Sequence, residues 1–228
     1  MDPTDSPWVE SPVHRSWLAE QAHRQLWFAR RAPHPDGGAW YLDDHGEPDT
    51  GRPVQTFITA RMVHAYALGH LAGVPGARPV AEACLAGLAG PLRDPRHGGW
   101  LASVGPGEEH DDGKAAYPHA FVVLATATAT VASLPGAAAL LEDALGALDR
   151  FWEDGPGMHL DRADRTFQEV SDYRGGNANM HAVEALLAAA ASASALMRST
   201  FRPCTAPPCP WHQRVCPYDA PRRPGRAG

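Results

Sequence analysis

A polar, glycine-marked loop returns three times along this chain at a near-constant interval. Gly37, Gly98 and Gly157 stand in successive copies, 61 and then 59 residues apart. A period of that size signals stacked supersecondary units. The flanking residues define the unit. After each loop comes a stretch with apolar residues at helical spacing, and after the first two a short proline–glycine turn leads into a second such stretch. Thr56 to Gly73 carries Phe57, Ile58, Met62, Val63, Tyr66, Leu68 and Leu71 at that spacing, and Ala77 to Leu92 follows Val74-Pro75-Gly76. One unit later, Pro118 to Ser133 and Ala137 to Trp152 flank Leu134-Pro135-Gly136. Proline at 118 suits the first turn of a helix. Ser16 to Arg31 reads as a first, amphipathic helix, and Asn177 to Met197 as a sixth.

This pattern predicts an all-α fold of helical hairpins, forming either a solenoid or a ring. The long loops Ala32–Gln55, Arg93–Ala116 and Glu153–Gly176 belong at one end, and the short turns at the other. Loops of that length are uncommon inside compact domains unless they carry function. The fourth and sixth helices are apolar nearly all round, which assigns them to an inner layer. The second joins them by phase. All three begin where a long loop ends, so their N-termini face the loop end.

Composition narrows the function. The net charge of −6 gives no basic face for nucleic acid or an anionic membrane. The longest apolar run, Ala120 to Leu134, is interrupted by threonines and too short to span a bilayer. The N-terminus is acidic and proline-marked, unlike a secretory signal. The expected location is cytoplasmic. Cys84 stands alone. Cys204, Cys209 and Cys216, with His212, number enough groups for zinc, but their spacing matches no standard finger.

The candidate chemistry lies at the starts of the inner helices. Arg61 and His64 share a face of the second. Lys114 and Tyr117 introduce the fourth, which carries His119. Asn177, His181 and Glu184, four and three residues apart, share a face of the sixth. Asn177 or Asn179 can cap that helix. Taken singly, each is an ordinary solvated or structural group. Together, the repeat sends them to one mouth. Three helix N-termini and the Arg61 charge suit a neutral polyol that transiently becomes an anion, such as a sugar passing through an enediolate. Trp40, Tyr41 and Trp100 either stack on sugar rings or pin the loops.

These residues resemble the N-acylglucosamine 2-epimerase family, which includes mannose isomerases. The likeness runs from about Trp17 to Ala191. It rests on Thr59 to Tyr66, Lys114 to Tyr117, His119-Ala120-Phe121, and Asn177 to His181 followed by Glu184. The first loop, His34 to Gly38 with Leu42-Asp43, resembles bacterial mannose isomerases in particular. The resemblance implies an (α/α)6 barrel, or α/α toroid, with a monosaccharide at one mouth. It implies substrate-binding roles for Arg61, Tyr117, Asn177 and His181, with Glu184 at a more variable position. It also implies aldose–ketose isomerisation or epimerisation by proton abstraction, with no metal or redox cofactor. Only about half of the ring is visible. The family's two principal acid–base histidines belong to the other half, so His181 is a supporting group.

Residues 1–197 therefore read as the N-terminal half of such a barrel, with exposed half-barrel faces that favour self-association. Residues 198–228 hold seven prolines, six arginines and three cysteines, and read as an unstructured extension of different origin. Two other readings follow from the same residues. One is a non-catalytic sugar-binding or interaction module. The other is an α/α-barrel glycoside hydrolase using carboxylates such as Asp111, Asp112 and Asp172.

Overall fold

The computed structural model describes residues 8–106 and 111–200. After a 3-10 turn at Trp8–Glu10, six helices follow: α1 (Pro12–Ala29), α2 (Thr56–Leu71), α3 (Ala77–Ala89), α4 (Ala116–Val131), α5 (Ala137–Asp149) and α6 (Gly176–Thr200). The helix placed at Pro118 starts two residues earlier. Pro118 remains in the first turn, where its missing N–H has no intrahelical partner to lose. α6 runs three residues past the expected end at Met197. The cysteine cluster of the tail lies outside the described residues.

The predicted layers are present. α4 packs between α2 and α6, while α3 lies on α2 and α5 on α4. Nearly every residue of α4 is buried, as its all-round apolar sequence requires. α1 has no fully buried residue and leans on α2. Its Leu26 side chain sits over Gly69, and its Leu26 carbonyl accepts the Tyr66 hydroxyl.

The short turns are two copies of one structure. Both α2 and α4 end in a left-handed residue that folds the chain back to cap the last carbonyls. Val74 N–H reaches the Gly69 carbonyl and Leu134 N–H the Ala129 carbonyl, each at 2.9 Å. The left-handed residue is Gly73 in the first turn and Ser133 in the second.

The long loops gather at the opposite end and hold one another. Three loop hairpins recur: a bridge pairs Pro33 with Ala39, another pairs Arg93 with Trp100, and β6 (Trp152–Glu153) pairs with β7 (Met158–His159). Within the first loop, β1 (Tyr41–Leu42) pairs with β2 (Pro48–Asp49). Between loops, β3 (Val54–Gln55), which enters α2, pairs with β4 (Ser103–Val104) of the next loop. Likewise β5 (Lys114–Ala115), which enters α4, pairs with β8 (Arg162–Ala163). These ribbons are two residues per strand, too short to leave an alternating pattern in the sequence.

A second device ties each loop to the helix after it. The Ala39 N–H donates to Thr59 Oγ1 at 3.1 Å, the Trp100 N–H to His119 Nε2 at 3.0 Å, and the His159 N–H to Asn179 Oδ1 at 2.8 Å. Thr59, His119 and Asn179 are sixty residues apart and each stands fourth in its helix. This corrects two expectations. His119 is not a mouth residue but a buried pin, and Asn179 joins loop to helix rather than merely capping α6. Its amide also donates to the Gly175 and His159 carbonyls.

Candidate functional site

The inner helices start sixty residues apart, at Thr56, Ala116 and Gly176. Equivalent positions therefore line up across the inner layer. The second residues are Phe57, Tyr117 and Asn177. One turn deeper stand Arg61, Phe121 and His181, and three residues further His64, Leu124 and Glu184. Thus the candidate residues fall into tiers of one concave wall. Beyond the identities predicted from sequence, the tiers contain Phe57 and Phe121, which single-residue reasoning missed. The signal for both was the sixty-residue offset itself.

The tiers are in contact. Arg61 Nη2 donates to the Tyr117 hydroxyl at 2.6 Å, and its guanidinium lies over the Phe121 ring, 4.2 Å from the centroid. Such a placement adds cation–π attraction to the hydrogen bond. Tyr117 meets the His181 ring edge-on at 5.4 Å, and Phe121 lies 4.6 Å from it. His181 Nδ1 is 2.9 Å from Glu184 Oε2. A carboxylate only accepts, so the proton sits on Nδ1 and Nε2 is the nitrogen free to accept one. Asn177 is exposed at the rim of the wall.

Below them, His64 Nδ1 is 2.8 Å from Thr128 Oγ1, whose own hydroxyl donates to the Leu124 carbonyl. His64 is therefore the donor. Burial lowers its pKa, partly opposed by the charge of Glu184 on the facing helix. His64 thus ties α2 to α4 through Thr128.

Other polar candidates belong to the loop supports. The Lys114 side chain is fully buried and donates to Asp94 Oδ2 at 3.0 Å, and Arg165 donates to the same oxygen at 2.9 Å. Burial alone would raise the Asp94 carboxyl. Hydrogen bonds from Arg165, Lys114 and the N–H groups of Arg96 and His97 outweigh it and hold the group well below the usual carboxylate range. Burial pushes Lys114 down, with Asp94 opposing. Lys114 is therefore a structural cation, not part of the mouth. Trp100 is buried and its indole N–H donates to the Leu88 carbonyl at 2.7 Å, which settles it as a loop pin. Tyr41 carries Arg52 on its ring, and Trp40 lies against His34. Two of the three carboxylates considered for hydrolysis are engaged elsewhere: Asp111 with Arg162 and Asp112 with Arg165. Among the described residues, no group of three or more His, Cys, Asp or Glu is placed to hold a metal, and no helix is long and apolar enough to cross a membrane.

What remains at the wall is a cation, a phenol, an imidazole–carboxylate pair and aromatic faces, at the N-terminal ends of three helices. That set suits a polyhydroxylated ring with one oxygen that gains charge.

Comparison with known proteins agrees with this class. Residues 37–197 match the profile of the N-acylglucosamine 2-epimerase (GlcNAc 2-epimerase) family, and the chain belongs to that family of sugar epimerases and isomerases. A D-mannose isomerase of Thermobifida fusca is 46% identical over 184 residues, which cover 80% of this chain and 45% of that protein. One from Pseudomonas cannabina pv. alisalensis is 41% identical over 188 residues, 82% and 45% of the two. Among solved structures, a D-mannose isomerase superposes with a TM-score of 0.72 at 25% identity, covering 86% of this chain and 51% of that one. Cellobiose 2-epimerase from Spirochaeta thermophila DSM 6192 gives 0.68 at 25% identity, covering 83% and 49%. These neighbours are (α/α)6 barrels, and the chain spans about half their length, as it does the relatives'.

Proposed function

We propose that the chain carries the sugar-binding wall of an aldose–ketose isomerase or 2-epimerase site, with mannose or a related aldose as its ligand. The observation that carries this reading is the contact chain Arg61–Tyr117–His181 across three successive inner helices. The D-mannose isomerase relatives support the sugar class.

The chemistry follows from the groups present. Isomerisation removes the C2 proton of the open-chain aldose as H⁺. The released electron pair forms a C1–C2 enediolate with charge on O1. Return of a proton to C1, with transfer of the O2 proton to O1, gives the ketose; return to C2 on the other face gives the epimer. Arg61 and the α2, α4 and α6 N-termini stabilise the enediolate oxygens as charge develops. Arg61 uses the phenol oxygen of Tyr117 as an acceptor, which leaves the Tyr117 O–H to donate to a sugar oxygen. Asn177 binds a hydroxyl at the rim. His181 Nε2 accepts from a second hydroxyl, with Glu184 fixing its tautomer. In the family, the principal proton carriers come from the other half of the ring, so these residues bind and polarise.

Calorimetric titration with mannose tests this reading. Binding is expected, with a loss of tenfold or more in Arg61→Ala and in His181→Ala. Unchanged affinity in both variants would remove the wall from the site. Fructose formation with deuterium uptake from solvent would add a proton carrier to these residues. Binding without turnover is the sugar-binding module reading.

A further inference from the structure

The repeat allows each position of α6 to be compared with its counterparts on α4 and α2. Met180, Val183 and Leu187 are 58, 60 and 67% exposed, whereas Ala120, Val123 and Ala127 at the same positions of α4 are at most 1% exposed. Ala60, Val63 and Ala67 of α2 are fully buried. A stripe that is packed in both other inner helices is therefore bare on α6. Beside it, a groove of about 550 Å³ runs between α5 and α6, lined by Leu145, Leu148, Trp152, His159 and Leu186. One unit earlier Thr126, the counterpart of Leu186, is fully buried. In that unit the outer helix α5 lies on α4, and the inner helix α6 follows alongside. The bare seat on α6 thus has the shape of one more outer-then-inner helix pair.

The other end of the row offers such a pair. α1 is an outer helix with no fully buried residue, and it shows Val13, Trp17 and Trp27 along one side. α2 follows it, with Leu68 half exposed where its α4 counterpart Thr128 is buried. A surface of this apolar extent is unusual for a lone chain.

We propose that α1 and α2 of a second copy occupy the seat on α6, and that two copies join head to tail into a closed ring of six hairpins. The count favours this occupant. Each copy holds three hairpins of the chain's own repeat, and the barrels it superposes on are covered 51 and 49% by one copy. Two-fold closure makes both seams identical, each joining α6 of one copy to α1–α2 of the other, and uses up both open ends. The two concave walls, each with its Arg61 and His181, then face one bore. None of this requires sugar to bind.

Sedimentation velocity of the full 228-residue chain at about 50 μM tests the pairing. Twice the 24.4 kDa chain mass is expected. Val183→Glu on α6 and Trp17→Glu on α1 are each expected to halve that mass. Both side chains point away from the lone chain's core, so its helical circular dichroism should persist. Hydrogen exchange in the wild-type dimer should slow on both α1 and α6 relative to those variants. A wild-type monomer would overturn the proposal, including one in which residues 201–228 cover α6 within the same chain. So would open-ended oligomers. A dimer broken by Val183→Glu but not by Trp17→Glu would assign the contact to α6 pairing with α6, against head-to-tail closure.

Discussion

At His119 the two ring nitrogens have fixed and different partners. Nδ1 donates to the Ala115 carbonyl at 2.6 Å, and Nε2 accepts the Trp100 N–H at 3.0 Å. A proton on Nε2 would destroy the second bond. Burial, reinforced by the nearby Lys114 and Arg150 charges and opposed by the Ala115 carbonyl, lowers the pKa to about 4. The unfolded chain takes up that proton near the ordinary histidine value of about 6.5. The folded state therefore keeps the full benefit of neutral His119 above pH ~6.5. It loses about 3 kcal/mol as the pH falls from there to about 4, and no more from this group below that. Urea unfolding across the window should show the loss, and His119→Asn should flatten it, since Asn179 performs the same task without titrating. Sequence alone could place His119 on a helix but not on a face. In an all-apolar helix such as α4, periodicity does not distinguish the side toward the loops from the side toward the bore. Arg61 and His181 stand out in the sequence as polar groups in otherwise apolar runs, as His119 does, and only the structure separates the wall from the pin.

Helix ends were more legible than helix starts. The turn Val74-Pro75-Gly76 and its copy Leu134-Pro135-Gly136 announce themselves by residues that suit few other conformations. The left-handed position just before each is less obvious, being Gly73 in one and Ser133 in the other, with φ of 79° and 55°. A side chain in that region costs about 1 kcal/mol relative to glycine. Ser133→Gly should therefore stabilise the chain by up to about that amount, less what glycine's freer unfolded state takes back. Equilibrium urea denaturation would read it, and a loss of stability would mean that the serine hydroxyl contributes more than the turn geometry does. At the starts, the clamps β3–β4 and β5–β8 could not be foreseen from pattern. Their strands are set by pairing between loops sixty residues apart, not by local preference.

Across the molecule, the loops behave as one layer because of the cluster around Asp94. This carboxylate in the second loop joins Lys114 at the entry to α4 and Arg165 in the third loop. Its pKa is depressed, so its contribution is fully present above the ordinary carboxylate range and is lost only as the pH falls below it, after the His119 loss is complete. Asp94→Asn leaves Lys114 buried beside no counter-charge and should cost about 3 kcal/mol in a single unfolding transition. Adding Lys114→Met should recover part of that. Two separate transitions would mean that the units melt independently and that the cluster does not couple them. The overall architecture was readable because the repeat is long and its punctuation regular. Which polar groups are structural was not, since ion partners such as Arg165 lie far from Asp94 in sequence.

The matched pins at Thr59, His119 and Asn179 bear on how such a chain can change over time. A threonine, an imidazole and an amide fill the same joint, so the joint asks only for an acceptor at a given height. Modules built on such a fitting are interchangeable at the fourth residue of the helix. Duplication, loss or exchange of a whole module leaves its neighbours' own pins as they were, and only the ribbons and ion pairs between loops have to be remade.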